Sequence, residues 1–143
     1  MILTRDQILN SKDIETKAVS VPEWGGEVLV RALSLKEANE WRKSMLKPVP
    51  TVDKKSGKTT IDLQFDQQLA EMANVWMVSI AVVDESGNRV FSSADIEALS
   101  GKSLAPIARI VETVMEISGL NQKAADDAEK NSEPNPSESS SSD

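Results

Sequence analysis

Apolar residues recur along this chain with two different periods, and each period marks its own kind of element. Val19 and Val21 are spaced by two, as are Val28 and Val30, which is the alternation of strands with one buried face over residues 16–21 and 27–33. Pro22-Glu23-Trp24-Gly25-Gly26 separates the two stretches. A Gly-Gly pair supplies the positive φ that a tight reversal needs, so the opening region reads as a β-hairpin. Before it, Thr4 caps a short helix over residues 5–10, with Ile8 and Leu9 turned inward.

Helical spacing takes over at Ser34-Leu35-Lys36-Glu37, a capping box that starts a helix at Leu35. Its inward stripe is Leu35, Ala38, Trp41 or the stem of Arg42, and Met45, and Pro48 and Pro50 stop it. Residues 47–60 combine two prolines, a glycine and four lysines, the composition of a mobile connection that is either functional or disordered. From 62 to 83, Phe65, Leu69, Met72, Trp76, Ile80 and Val83 follow spacings of four and three. The β-branched second half also fits a strand, but the period reaching back to Phe65 favours one long helix, buried towards its end.

Asp84-Glu85-Ser86-Gly87-Asn88 is a turn cluster followed by a few extended residues. Ser92 or Ser93 caps a short helix through Leu99, with Ile96 and Leu99 inward. Ser103 caps a last helix whose stripe is Leu104, Ile107, Ala108, Val111, Val114 and Met115. Gly119 with Leu120 marks a left-handed helix stop. After Leu120 alanine is the only apolar type, so residues 121–143 are expected to form a polar, acidic and largely disordered tail. The layout predicts an α+β domain over residues 1–120: an N-terminal β-hairpin packed on a mainly helical body of four or five helices.

Composition narrows the chemistry. The 143 residues contain no cysteine and no histidine, which excludes disulfides, thiolate or imidazole metal sites, Cys or His nucleophiles and the commonest general base. Net charge is −7. From Lys123 onward two basic residues face six acidic ones, and the preceding body holds fourteen against seventeen. Neither part has the concentrated basic face that phosphate backbones require, so no nucleic acid partner is expected. The longest mostly apolar run, residues 75–83, falls far short of the ~20 residues of a membrane span. A soluble intracellular protein without membrane contact is expected.

The short motifs fail as catalytic or binding signatures. Gly101-Lys102-Ser103 and Gly57-Lys58-Thr59 match the end of a phosphate-binding loop, but Ile96 and Val52 stand where its first glycine belongs. Asp84, Ser86 and Asn88 alternate like calcium ligands, yet Arg89 occupies the position of the turn glycine and Asp95 that of the closing glutamate, leaving a plain reversal. Paired carboxylates such as Asp126-Asp127 are adjacent in sequence and are expected to diverge into solvent instead of flanking one substrate. No catalytic, metal or cofactor residues are assigned, and no enzyme activity is expected. Trp41 and Trp76 sit on periodic faces and are assigned to packing. Trp24 sits at a turn tip, where a tryptophan serves either as a core anchor or as an exposed partner contact.

The order Val-Pro-x-Trp-Gly-Gly-x-Val-x-Val-Arg at residues 21–31, a capped helix, "VVDESGNRVF" at 82–91, "DIEALSGKS" at 95–103 and a final amphipathic helix resembles the tail assembly chaperones of long-tailed, siphovirus-type bacteriophages. The similarity covers about the first 120 residues. It implies a non-enzymatic assembly factor that coats the tape measure protein and recruits tail tube subunits in the host bacterial cytoplasm, and that is absent from the mature virion. It also implies a longer product of ribosomal frameshifting, with the region from about Lys123 similar to the place of that switch. Trp24, Gly25, Gly26 and Arg31 are the partner-binding candidates. Self-association into an open spiral or filament is expected, since head-to-tail contacts that do not close repeat along an extended client. The alternative is a minor structural tail or head-tail joining protein retained in the virion.

Overall fold

The computed structural model describes residues 1–120. The expected acidic tail, 121–143, lies outside the described residues. The architecture is α+β, with the N-terminal hairpin and five helices. Helix α1 is Arg5–Asn10, followed by strands β1, Thr16–Val21, and β2, Gly26–Arg31. Helix α2, Leu35–Ser44, leads into a second hairpin, β3 at Leu46–Val52 and β4 at Thr59–Phe65. Helix α3, Gln67–Ala81, runs into the two-residue strand β5, Val82–Val83. Helices α4, Ile96–Ser100, and α5, Leu104–Ile117, complete the body.

β1 and β2 pair antiparallel from Val21 opposite Gly26 to Thr16 opposite Arg31, and β5 adds to the far side of β2. One face of this sheet is closed by α3 and α5. Val19, Val21 and Val30 are buried there with Met77, Val78, Ile110 and Val114. Alternation therefore set the inward face of the first hairpin as expected. Burial of these apolar side chains, at about 1.5–3 kcal/mol each, is the main source of stability.

The long helix is shorter than its period. It starts after Asp66, whose carboxylate accepts the Leu69 N–H at 2.9 Å, and ends at Ala81. Phe65 is on β4, 62% exposed, rather than on the helix. Val82 and Val83 leave the helix to pair with β2, so the strand-like composition there is used for two residues only. Residues 47–60, expected to be a mobile connection, form most of the second hairpin. Its turn is built by Asp53, which accepts from the Lys55 N–H at 2.9 Å and the Ser56 hydroxyl at 3.0 Å, with Gly57 at φ +71°.

Several inward assignments are corrected, among them Met72 and Ala108, which are exposed on α3 and α5. The Thr4 cap and its helix are present, but Ile8 and Leu9 are solvent-facing and α1 buries nothing. Leu35 and Leu104 lie at the first turns of α2 and α5, beyond the reach of the core, and are exposed. The final helix stop follows expectation: the Leu120 N–H donates to Met115 C=O at 2.8 Å and the Gly119 N–H to Glu116 C=O at 3.2 Å, with Gly119 at φ +76°. Asp84 likewise forms a plain reversal, its carboxylate accepting from the Ser86 and Asn88 N–H groups.

Candidate partner-binding surfaces

The tip of the first hairpin is held from below. Pro22, Glu23 and Trp24 make one 3-10 turn, closed by the Gly25 N–H donating to Pro22 C=O at 3.0 Å. Gly25 takes φ +81°, a conformation costly for any residue with a Cβ, whereas Gly26 already belongs to β2. Arg109 of α5 donates to both carboxylate oxygens of Glu23 at 2.8 and 3.0 Å. Those hydrogen bonds hold the Glu23 carboxyl down at about 2. Trp24 therefore projects from a fixed turn. It is 36% exposed and lies over a shallow depression formed with Phe91, Ala98, Leu99 and Lys102.

Arg31 stands at the opposite end of the same hairpin. Five residue steps along β2 separate it from Gly26, a distance of about 17 Å at strand rise. Its guanidinium donates to both Glu37 oxygens at 2.8 Å and to Ala32 C=O at 3.0 Å. Glu37 also accepts the Ser34 N–H at 2.9 Å while Ser34 Oγ accepts the Glu37 N–H at 3.2 Å. The expected capping box is thus present and shares its glutamate with Arg31. The hydrogen bonds from Arg31 hold the Glu37 carboxyl at about 2. Trp24, Gly25 and Gly26 form one locus, and Arg31 belongs to another that ties β2 to α2.

The second hairpin carries a larger apolar surface, one that the sequence reading missed. Direct cross-strand partners share a face. Leu46, Pro48, Pro50 and Val52 stand opposite Phe65, Leu63, Ile61 and Thr59, so one face is apolar in seven of its eight positions. Lys47, Thr51, Asp62 and Gln64 point the other way. Every residue of β4 is exposed, Ile61 at 66% and Leu63 at 64%, so this face is left uncovered except at its base, where Leu46 is half-buried. The ladder is closed at its two ends by Asp53 N–H to Lys58 C=O and Asp66 N–H to Met45 C=O. That register hydrogen-bonds the odd residues of β3 to β4 and turns the donor-less nitrogens of Pro48 and Pro50 to the free edge. The available signal was the alternation at 61, 63 and 65, obscured by the prolines and lysines before it.

Two open grooves flank α3. One lies between α2, α3 and α4, over Leu69, Met72, Trp76 and Ile96, with Glu40 at its rim. Trp76 is half-buried there, whereas Trp41 is buried and donates its indole N–H to Asn74 at 3.2 Å. The other groove, of about 780 Å³, lies between α3 and α5, over Val75, Leu104, Ala108 and Met115, with Glu71, Glu112 and Lys102 around it. Among the described residues no cluster of three or more acidic side chains is placed to hold a metal ion, and no helix is long and apolar enough to cross a membrane.

Comparison with known proteins agrees with this architecture. The fold is similar to the structure of the bacteriophage HK97 tail assembly chaperone, with a TM-score of 0.53 and 19% identity, over 78% of this chain and 94% of that one. No protein of curated function matches the sequence. A family model described as "Phage tail assembly chaperone" matches residues 4–131. That match spans nearly the whole chain, and the protein belongs to the phage tail assembly chaperone family.

Proposed function

We propose that the chain works without catalysis, by binding the tape measure protein, recruiting tail tube subunits to it and repeating along it through self-association. Family membership carries the reading. The apolar hairpin face and the open grooves support it, because a contiguous exposed apolar surface on a folded domain serves contact with another polypeptide. A surface of this kind is what a long client needs to stay soluble before its tube is built. The Trp24 turn supports it in a second way: a rigid, half-exposed tryptophan is a common anchor at interface centres.

The site of action is the host bacterial cytoplasm, and the protein is left out of the finished particle. In this proposal a longer product is made by ribosomal frameshifting, with the switch in the polar region from about Lys123. Mass spectrometry of purified virions and of assembling tails tests the reading. A chaperone is found with the tape measure protein in assembly intermediates and is missing from virions. Stoichiometric retention in virions would instead establish a minor structural or head-tail joining protein.

A further inference from the structure

We propose that the apolar face of the β3–β4 hairpin seats in the α3–α5 groove of a second copy of this chain, making a head-to-tail contact that repeats. This rests on the self-association in the proposed function and assigns its two surfaces.

The first support is energetic. A two-stranded hairpin with neither face covered is at best marginally stable in water, and the β3–β4 pair projects with all of β4 exposed. Covering its apolar face supplies the burial that its own chain does not. With Pro48 and Pro50 on the outer edge of β3, sheet extension along that edge loses two donors, which leaves the apolar face and the β4 edge as the surfaces able to bind.

The second support is charge, and it selects the occupant. Residues 46–65 hold four lysines against two aspartates, in a body that otherwise carries ten basic against fifteen acidic residues. Lys54, Lys55 and Lys58 crowd the hairpin turn. The groove has Glu71 and Glu112 on its walls against the single Lys102. A basic-tipped apolar face and an acidic-walled apolar groove are complementary between copies, whereas two hairpins brought together repel at like charge. Each copy carries the β3–β4 face and the α3–α5 groove once each, and such unlike surfaces build rings or open filaments rather than closed dimers.

The test is sedimentation velocity of the full chain across a concentration series, with two variants. Ile61→Asp with Leu63→Asp disables the hairpin face at exposed positions, and Ala108→Arg plugs the groove at an exposed helical position. Thermal melts confirm that both variants fold. The wild-type chain is expected to form species larger than dimers, each variant to remain monomeric, and an equimolar mixture of the two variants to give a heterodimer and nothing larger. Wild-type protein that stays monomeric at every concentration overturns the self-association reading and this contact together. Wild-type assembly that persists in Ala108→Arg overturns this contact alone and leaves hairpin-to-hairpin pairing along β4 as the alternative. Variants that are monomeric yet do not pair with each other also overturn it.

Discussion

Arg31 and Glu37 are joined by two parallel hydrogen bonds of 2.8 Å, and the same glutamate closes the N-terminal box of α2. One side chain thus fixes both the start of a helix and its attachment to the sheet. Each side chain is only about a fifth exposed, a setting in which a bidentate pair is worth more than an ordinary surface ion pair. Glu37→Gln keeps an amide able to complete the box but removes the charge. It is expected to lower the unfolding free energy by about 1–2 kcal/mol, read from urea denaturation. An unchanged midpoint would show the pair to be incidental.

The same pair predicts an acid-side dependence. The Arg31 hydrogen bonds lower the Glu37 carboxyl from 4.5 to about 2 in the folded chain. A carboxyl lowered on folding contributes fully above its unfolded value and loses that contribution as pH falls through its folded one. Stability should therefore decline between pH 4.5 and about 2, and Glu37→Gln should flatten part of that decline. A Glu37→Gln profile parallel to wild type would contradict this.

Gly25 and Gly26 are predicted to differ although they are neighbours. A Cβ at either meets nothing within 4 Å, but only Gly25 has a positive φ. Gly25→Ala should cost about 1 kcal/mol from the backbone conformation alone. Gly26→Ala, at the start of a strand, should stay within about 0.5 kcal/mol. Thermal unfolding of the two variants distinguishes them, and equal losses would mean that the turn is set by something other than φ.

Much of the first hairpin was legible because its information is local: Val19, Val21, Val28 and Val30 alternate, and a left-handed glycine sits between them. The second hairpin was not. Pro48 and Pro50 normally punctuate loops, and their acceptance in β3 depends on which way their nitrogens face, a property of register and not of composition. Phe65 also fits the helical spacing to Leu69, and only Asp66, an N-cap, separated the strand from the helix. The candidate contacts divided for a similar reason. Trp24 was visible as a turn residue, whereas the engagement of Arg31 with Glu37 crosses from strand to helix and leaves no periodic trace.

Trp24 and Trp41 should separate binding from folding. Trp41 is 8% exposed and hydrogen-bonded to Asn74, while Trp24 is 36% exposed on its turn. Trp41→Ala is expected to cost about 3–5 kcal/mol of stability. Trp24→Ala should cost clearly less while weakening capture of the partner proteins. If Trp24→Ala collapses the melting temperature and leaves capture intact, Trp24 is a core anchor and not a contact.

In the proposed function this chain holds another polypeptide instead of transforming a small molecule. Co-expression of the tagged full-length chain with the tape measure and tail tube proteins, followed by affinity capture, addresses it most directly. The expected result is a soluble tape measure protein retained with several copies of the chain, and tube protein joining the complex. A tape measure protein that stays insoluble, or passes through uncaptured while the folded chain is retained, would contradict it.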